Sequence, residues 1–263
     1  MAITLPGQTL RGVAAKLRQL SYVPTSWQGV LAGLNADGRS QLETFLHDFV
    51  REGGTPQLMA MVLEHLADQR EALQRERDAW SFVWSGPEGL HTKTADTFAT
   101  ASQLIKNAKS ELLIATYNIG LSEDFREILK EIASRINTGS LQEVKLFFHP
   151  VQILSNLSAN PKGDIKNWFE TDIWPWEGKP RAFVDTRLIH GVKNFCCQHS
   201  KIIITDYRSN DASILTTSAN FSEAGQRQNF EAGWLCRSSF RAHSVHEHFE
   251  KLISEKLFTE INV

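Results

Sequence analysis

From about residue 80 onward, short apolar runs rich in β-formers alternate with stretches of helical periodicity, and this alternation constrains the fold more than any other feature. WSFVW (80–84) reads as a strand ended by Ser85-Gly86-Pro87. Residues 94–108 read as a helix, 111–117 (ELLIATY) as a strand, 122–137 as a helix and 143–150 (EVKLFFHP) as a strand. Strands separated by helices of this length imply βαβ units and a largely parallel sheet. Residues 151–180 are irregular and carry Trp168, Trp174 and Trp176, which either anchor a long loop or offer stacking surfaces. Further strands are expected at 181–185, 198–205, 213–217 and 230–236, and a closing helix at 239–258.

The first third has a different texture. Ser40 with Glu43 three residues on is a capping-box signature, Gly53-Gly54 is a stop, and Thr55-Pro56 starts a second helix. Leu58, Val62, Leu66 and Leu73 mark an apolar stripe, and the charged tail DQREALQRERDAW suits a solvated face. The expected organisation is a helical region over 1–79 and an α/β domain over 80–263.

The balance of 28 basic and 30 acidic residues, a net charge of −2, excludes a bulk-basic nucleic-acid coat but not a local basic site. Three cysteines cannot build a disulfide framework, and no apolar run approaches the roughly 18 residues that span a bilayer. The first twenty residues lack the unbroken apolar core of a signal peptide. These features lead us to expect a soluble protein in a reducing cytoplasm, without a membrane partner.

The chemistry concentrates in His199-Ser200-Lys201-Ile202-Ile203-Ile204-Thr205-Asp206, which fits H-x-K-x4-D. Residues two apart on a strand share a face, so His199 and Lys201 project together while Ile202 and Ile204 pack on the other side. The same spacing recurs in Ser218-Ala219-Asn220 and in Asn229-Phe230-Glu231. An imidazole, an ammonium, a hydroxyl, a carboxamide and a carboxylate can thus converge, and that set suits a phosphodiester. Lys and Asn can hold non-bridging oxygens, His can attack phosphorus or protonate a leaving alkoxide, and Glu can orient the imidazole. No metal or cofactor is required. His91-Thr92-Lys93 repeats H-x-K, but residue 98 is Phe, so His91 and Lys93 read as surface residues. Cys196, Cys197 and His199, or His243, His246 and His248, lack the spacing of a metal site.

H-x-K-x4-D, followed by a near G-S-x-N element and then N-x-E, resembles the phospholipase D superfamily. The resemblance is carried by residues 199–231 and extends to the α/β pattern from about 80. It implies a phospholipase D-like sheet flanked by helices, with His199 as nucleophile and Lys201 and Asn220 as phosphate binders. Ser218 would be a supporting donor, Glu231 the imidazole partner and Asp206 a structural residue. Thr217 stands where the family has Gly. The helical N-terminus, VWSGP (83–87) and a single late motif resemble, more narrowly, the phospholipase D-like component of DISARM anti-phage systems. That likeness implies defence against phage, with other defence subunits docking on the N-terminal helices.

Lys179, Arg181, Arg187, Lys193, Lys201 and Arg208 outnumber Asp185 and Asp206 over 179–208. Lys179, Arg181, Arg187 and Lys193 are therefore expected to bind nucleic acid, DNA rather than RNA. Alternatives are a phospholipid substrate or a non-catalytic nucleic-acid-binding subunit. Since a two-step histidine mechanism needs two imidazoles, the single motif implies a C2 homodimer with His199 of each protomer at one phosphate. The alternative is a monomer in which His190, His149 or a water supplies the proton.

Overall fold

The structure, a computed structural model, describes residues 3–86, 94–191, 197–222, 225, 227 and 229–262. The chain divides into two compact units, Met1–Asp78 and Ala79–Val263. The motif-like His91 and Lys93, together with Lys193 and Cys196, lie outside the described residues.

The first unit holds three helices, α1 (Gly7–Arg18), α2 (Ala36–Arg51) and α3 (Pro56–Asp78). Their core is formed by Leu10, Leu17, Leu31, Leu42, Leu46, Met59 and Leu63 with their neighbours. Helix α2 begins earlier than the capping box suggests, because the Asn35 side chain accepts the Gly38 N–H at 2.8 Å and Ser40 lies inside the helix. Thr55 does cap α3, accepting from Leu58 N at 3.3 Å. The buried stripe of α3 runs through Met59, Leu63 and Ala67, while Leu58 and Leu73 are exposed. The charged tail of α3 is engaged as well as solvated: Arg11 of α1 meets Asp68 and, at 2.9 Å, Glu71.

The second unit is a mixed α/β layer structure. Its strands are β1 (Trp80–Ser85), β2 (Ala95–Asp96), β3 (Glu111–Thr116), β4 (Glu143–Phe148), β5 (Arg181–Asp185), β6 (Ile202–Thr205), β7 (Ser213–Thr217), β8 (Glu231–Cys236) and β9 (Phe258–Glu260). Helices α4 (Thr97–Asn107), α5 (Glu123–Asn137), α6 (Pro161–Trp168), α7 (Thr186–Ile189) and α8 (Ser239–Ser254) connect or cover them. Among the described residues the sheet runs β2-β1-β8-β7-β6-β3-β4-β5-β9.

The α/β class and the helical N-terminal region are as expected. The expectation of a largely parallel sheet is corrected. β3, β4 and β5 are parallel, as their helical crossovers require, and so are β1 and β2. The pairs β1–β8, β8–β7, β7–β6, β6–β3 and β5–β9 are antiparallel. The turn from Asp206 to Ala212 joins β6 to β7 and is too short for a crossover, which needs a dozen or more residues.

Each face of the sheet has its own core. Ile114, Val144, Leu146, Ile203, Leu215 and Leu235 pack with α4 and α5 residues, including Ile105, Phe125 and Leu129. Leu113, Phe147, Phe183, Ile204 and Ile214 pack on the other side with Ala242 and Phe249 of α8. The period-2 alternation of the strands produces this division. Trp174 is buried, and Trp168 and Trp176 pack against the first core, so these tryptophans anchor the 151–180 segment. No helix among the described residues is long and apolar enough to cross a membrane.

Under α8 the strand alternation delivers one cation into the interior. Lys145 is fully buried, and its Nζ meets Glu143 at 2.6 Å and Glu250 at 2.7 Å. Burial alone would raise the Glu143 carboxyl, but hydrogen bonds from Lys145 and Arg208 outweigh it and hold the group down at about 2. A depressed carboxylate contributes stability that is present above its ordinary value of 4.5 and lost as pH falls toward 2. Lys145→Met should therefore destabilise the protein by about 3 kcal/mol at neutral pH in urea titrations, with the loss shrinking below pH 4. The figure sits at the low end for a broken buried pair because Glu250 remains partly hydrated.

Candidate active site

Antiparallel pairing of β6, β7 and β8 gathers three sequence segments at one end of the sheet. Lys201 directly precedes β6, Ser218 follows β7, and Glu231 opens β8. The register is continuous across them: Thr217 N donates to Lys201 O at 3.1 Å, and Ser218 N donates to Ala232 O at 3.0 Å. The carboxyl ends of β3 and β4 lie at the same end and bring Tyr117 and His149. The strand expected over 198–205 is shorter than predicted. Only Ile202–Thr205 is extended, and His199 and Lys201 stand at its mouth.

His199 is exposed, and Lys201 is buried beside it. The Lys201 Nζ lies 2.8 Å from His199 Nδ1 and 3.3 Å from its Nε2, and donates to the His199 carbonyl at 2.7 Å. An ammonium has three donors, and an arriving ligand oxygen can take one that is now shared with the imidazole. Burial pushes Lys201 below its ordinary value, opposed by the charges of Glu231 and Cys197. A partly desolvated ammonium interacts more strongly with an incoming anion than a hydrated one does.

Ser218 Oγ donates to Glu231 Oε2, and Asn229 Nδ2 donates to Glu231 Oε1 at 3.4 Å. The Glu231 carboxylate thus bonds Ser218 and Asn229 here, and the imidazole contacts Lys201. In this arrangement the Ser218 hydroxyl, on the adjacent strand end, takes the carboxylate expected to pair with the imidazole. Asn220 is half-buried, with its Oδ1 enclosed and unpartnered among the described residues. Thr217, in place of glycine, is absorbed without distortion, its Oγ1 accepting from Ala219 N at 3.1 Å.

Asp206 stands at the other end of β6. Its carboxylate accepts the N–H groups of Lys109 at 2.9 Å, Ser110 at 2.8 Å and Glu111 at 3.3 Å. Its own N–H donates to Glu111 O at 2.9 Å, and its φ of +51° lies in the left-handed region that Asp and Asn tolerate best. Asp206 therefore fastens the exit of β6 to the entry of β3, a full strand length from His199.

The expected basic track is not brought together. Lys179 and Arg181 lie at the amino end of β5, the sheet end opposite His199, where Lys179 meets Glu170 at 2.8 Å and Arg181 meets Glu260 at 2.7 Å. Arg187 follows the carboxyl end of β5, on the site's side, with Asp185 at 2.5 Å. Arg208 also lies at the far end, held by Glu111 and Glu143. Counting charge over 179–208 missed Glu111, Glu143, Glu170 and Glu260 because they lie outside that stretch of sequence.

Tyr117 went unnoticed in the sequence, and His149 figured only as an alternative proton donor. The Tyr117 ring lies 4.9 Å from the His199 ring and is stacked on His149 at 5.1 Å. The Lys201 Nζ lies 5.8 Å from the Tyr117 ring centre. Their positions immediately after parallel strands were the available signal, since ligands bind outside the carboxyl ends of such strands.

Residues 102–253 match the family model described as cardiolipin synthase, PLD-like domain. Similar solved structures include Nuc, a phospholipase D family member from Salmonella typhimurium, at 19% identity and TM-score 0.43, covering 69% of this chain and 96% of that one. NucT from Helicobacter pylori is 13% identical with TM-score 0.45, covering 69% and 99%. Phosphatidylserine synthase from Haemophilus influenzae is 13% identical with TM-score 0.44, covering 78% and 49%. No curated protein sequence matches the chain significantly.

The separation of Asp206 from the chemistry is testable. Asp206→Ala removes the acceptor of three backbone N–H groups and a residue suited to positive φ, and should destabilise by on the order of 3 kcal/mol. Asp206→Asn should recover part of that loss. Thermal melts of both variants beside His199→Ala, which should melt near the native temperature, check the assignment.

Proposed function

The chain belongs to the phospholipase D-like family, and on that footing we propose that it is a metal-independent phosphodiesterase acting on nucleic acid through a phosphohistidine intermediate. The observation that carries the reading is the exposed His199 imidazole in contact with a buried Lys201 ammonium, beside the Ser218–Glu231 pair. In this reading Lys201 and Asn220 hold non-bridging oxygens, and His199 attacks phosphorus.

The proton positions matter. The Lys201 ammonium is within hydrogen-bond distance of both ring nitrogens and nearer Nδ1; donation to Nδ1 goes with the ring proton on Nε2, the form that can protonate a leaving oxygen. Attack through Nε2 needs the proton on Nδ1. Phosphate binding to Lys201 frees Nδ1, and Glu231, once released by Ser218, is the carboxylate of the site that can hold that proton. One imidazole cannot be attacker and acid in the same step. We therefore propose a C2 homodimer in which His199 of one protomer attacks and His199 of its partner protonates, then activates water to hydrolyse the phosphohistidine.

Nucleic acid is favoured by aromatic rings at the edge of the site. Phe230, 70% exposed, immediately precedes Glu231 and contacts Trp84 at 5.9 Å, and Trp234, 49% exposed, contacts Phe82 at 5.3 Å. Such faces can stack bases. A phospholipid substrate is the second reading, because the same exposed rings also suit acyl chains and the matched family is described by cardiolipin synthase. We assign residues 80–263 to the phosphodiesterase domain and 1–79 to a helical region that docks other subunits. From the sequence resemblance to the DISARM component, we place the activity in anti-phage defence in the cytoplasm.

The test is incubation of the full chain in EDTA with labelled single-stranded DNA, duplex DNA, RNA and phosphatidylcholine. Cleavage of nucleic acid should persist in EDTA and fall about 10³-fold or more in His199→Ala and in Lys201→Ala. Strict dependence on added Mg²⁺, or full activity of His199→Ala, rejects the mechanism, and cleavage of lipid alone selects the second reading. Light scattering should give twice the chain mass of 29.7 kDa. A fully active monomer rejects the shared site.

A further inference from the structure

Four neighbouring segments place side chains in a row at the site end of the sheet. His199 precedes β6, Tyr117 follows β3, His149 follows β4, and Asp185 closes β5. The ring spacings of 4.9 and 5.1 Å are close to the separation of adjacent strands. The sheet itself therefore sets the spacing. The planes of Tyr117 and His149 are 18° apart, and those of Tyr117 and His199 are 48° apart. His149 is 4% exposed, and its Nδ1 is buried without a hydrogen-bond partner among the described residues. Its backbone is pinned by a tight turn, with Val151 N donating to His149 O at 2.8 Å. The segment after Tyr117 is also tied, Gln152 Nε2 donating to Asn118 Oδ1 at 2.6 Å.

We propose that His149 is a positioning residue that acts through Tyr117, the two rings forming a stacked support that fixes the orientation of the His199 imidazole. This rests on the phosphodiesterase reading only for its effect on rate; the support itself is a property of the folded chain. His149 is poorly placed to be the second catalytic imidazole, because Tyr117 occupies the strand between it and His199 and its Nδ1 is buried. Burial also lowers its tendency to protonate, the nearby His199 acting in the same direction and Asp185 opposing. A neutral ring can stay in the stack without adding charge beside Lys201. Tyr117 stacks on one side and faces the His199–Lys201 pair on the other, so its aromatic ring, rather than its hydroxyl, is the working part.

The decisive measurements are the His199 ring-proton resonances and steady-state kinetics for the full chain and four variants. A ring-current shift falls with the cube of distance, so the His149 ring alone has little direct effect on His199. Tyr117→Leu should move the His199 resonances and lower kcat about 10²-fold with little change in KM, and Tyr117→Phe should restore both. His149→Ala should move the same resonances, by releasing Tyr117, and lower kcat about tenfold. His149→Phe, which keeps an aromatic ring and removes the nitrogens, should restore both and guards against a folding defect in the alanine variant. Unmoved His199 resonances in Tyr117→Leu or His149→Ala overturn the support. A His149→Phe protein with native resonances but the rate of His149→Ala overturns positioning in favour of imidazole chemistry. If the native chain cleaves no phosphodiester, the function proposed above fails, while the resonances still decide the stack.

Discussion

The Asp206 carboxylate is the interaction on which the geometry of the site depends, although it lies a full strand length from His199. By collecting the N–H groups of residues 109–111 it fixes where β3 starts relative to where β6 stops. The antiparallel register then follows residue by residue, from Leu112 opposite Thr205 to Ala115 opposite Ile202. At the far end of that ladder Lys201 and Tyr117 arrive side by side. A slip of one residue would turn Lys201 to the opposite face of the sheet and remove His199 from Tyr117. The spacing within H-x-K-x4-D is in this sense a length measurement: one strand separates His199 and Lys201 from the group that sets the register.

The same strand explains what was legible in the sequence. Runs such as ELLIAT, EVKLFF and SILTT have the composition of strands and became strands. Their direction was less visible, because alternation and hydrophobicity are the same read forwards or backwards. The helical stretches read at 94–108 and 122–137 suggested parallel crossovers throughout. The short link between β6 and β7 carried the opposite information, and it is this antiparallel half that brings Lys201, Ser218 and Glu231 together.

The local polar details were less legible, for a physical reason. Ser40 and Glu43 make a plausible cap, yet Asn35 upstream captures the helix start. Lys179 and Arg181 look like a phosphate track until the fold supplies Glu170 and Glu260. Such outcomes are set by whichever donor or acceptor the tertiary structure places within about 3 Å, and sequence spacing does not encode that. The gathering of Lys201, Ser218 and Glu231 at one sheet end escapes the problem, because it follows from the register of β6, β7 and β8.

The stack beside His199 answers a requirement that a hydrogen-bonded partner would meet poorly. In a two-step phosphohistidine mechanism, an imidazole must present a lone pair at one stage and a proton at another. A carboxylate bound permanently to Nδ1 orients the ring but also commits its tautomer. An aromatic face orients the ring through contact area and quadrupole and leaves both nitrogens uncommitted. Tyr117, supported from behind by His149, supplies orientation of that kind, while Lys201 and Glu231 remain the groups that can decide where the proton resides. Separating the two tasks lets orientation stay fixed while protonation alternates. The site holds the ring by packing beside adjacent strand ends and leaves the proton to side chains that can exchange partners when phosphate arrives.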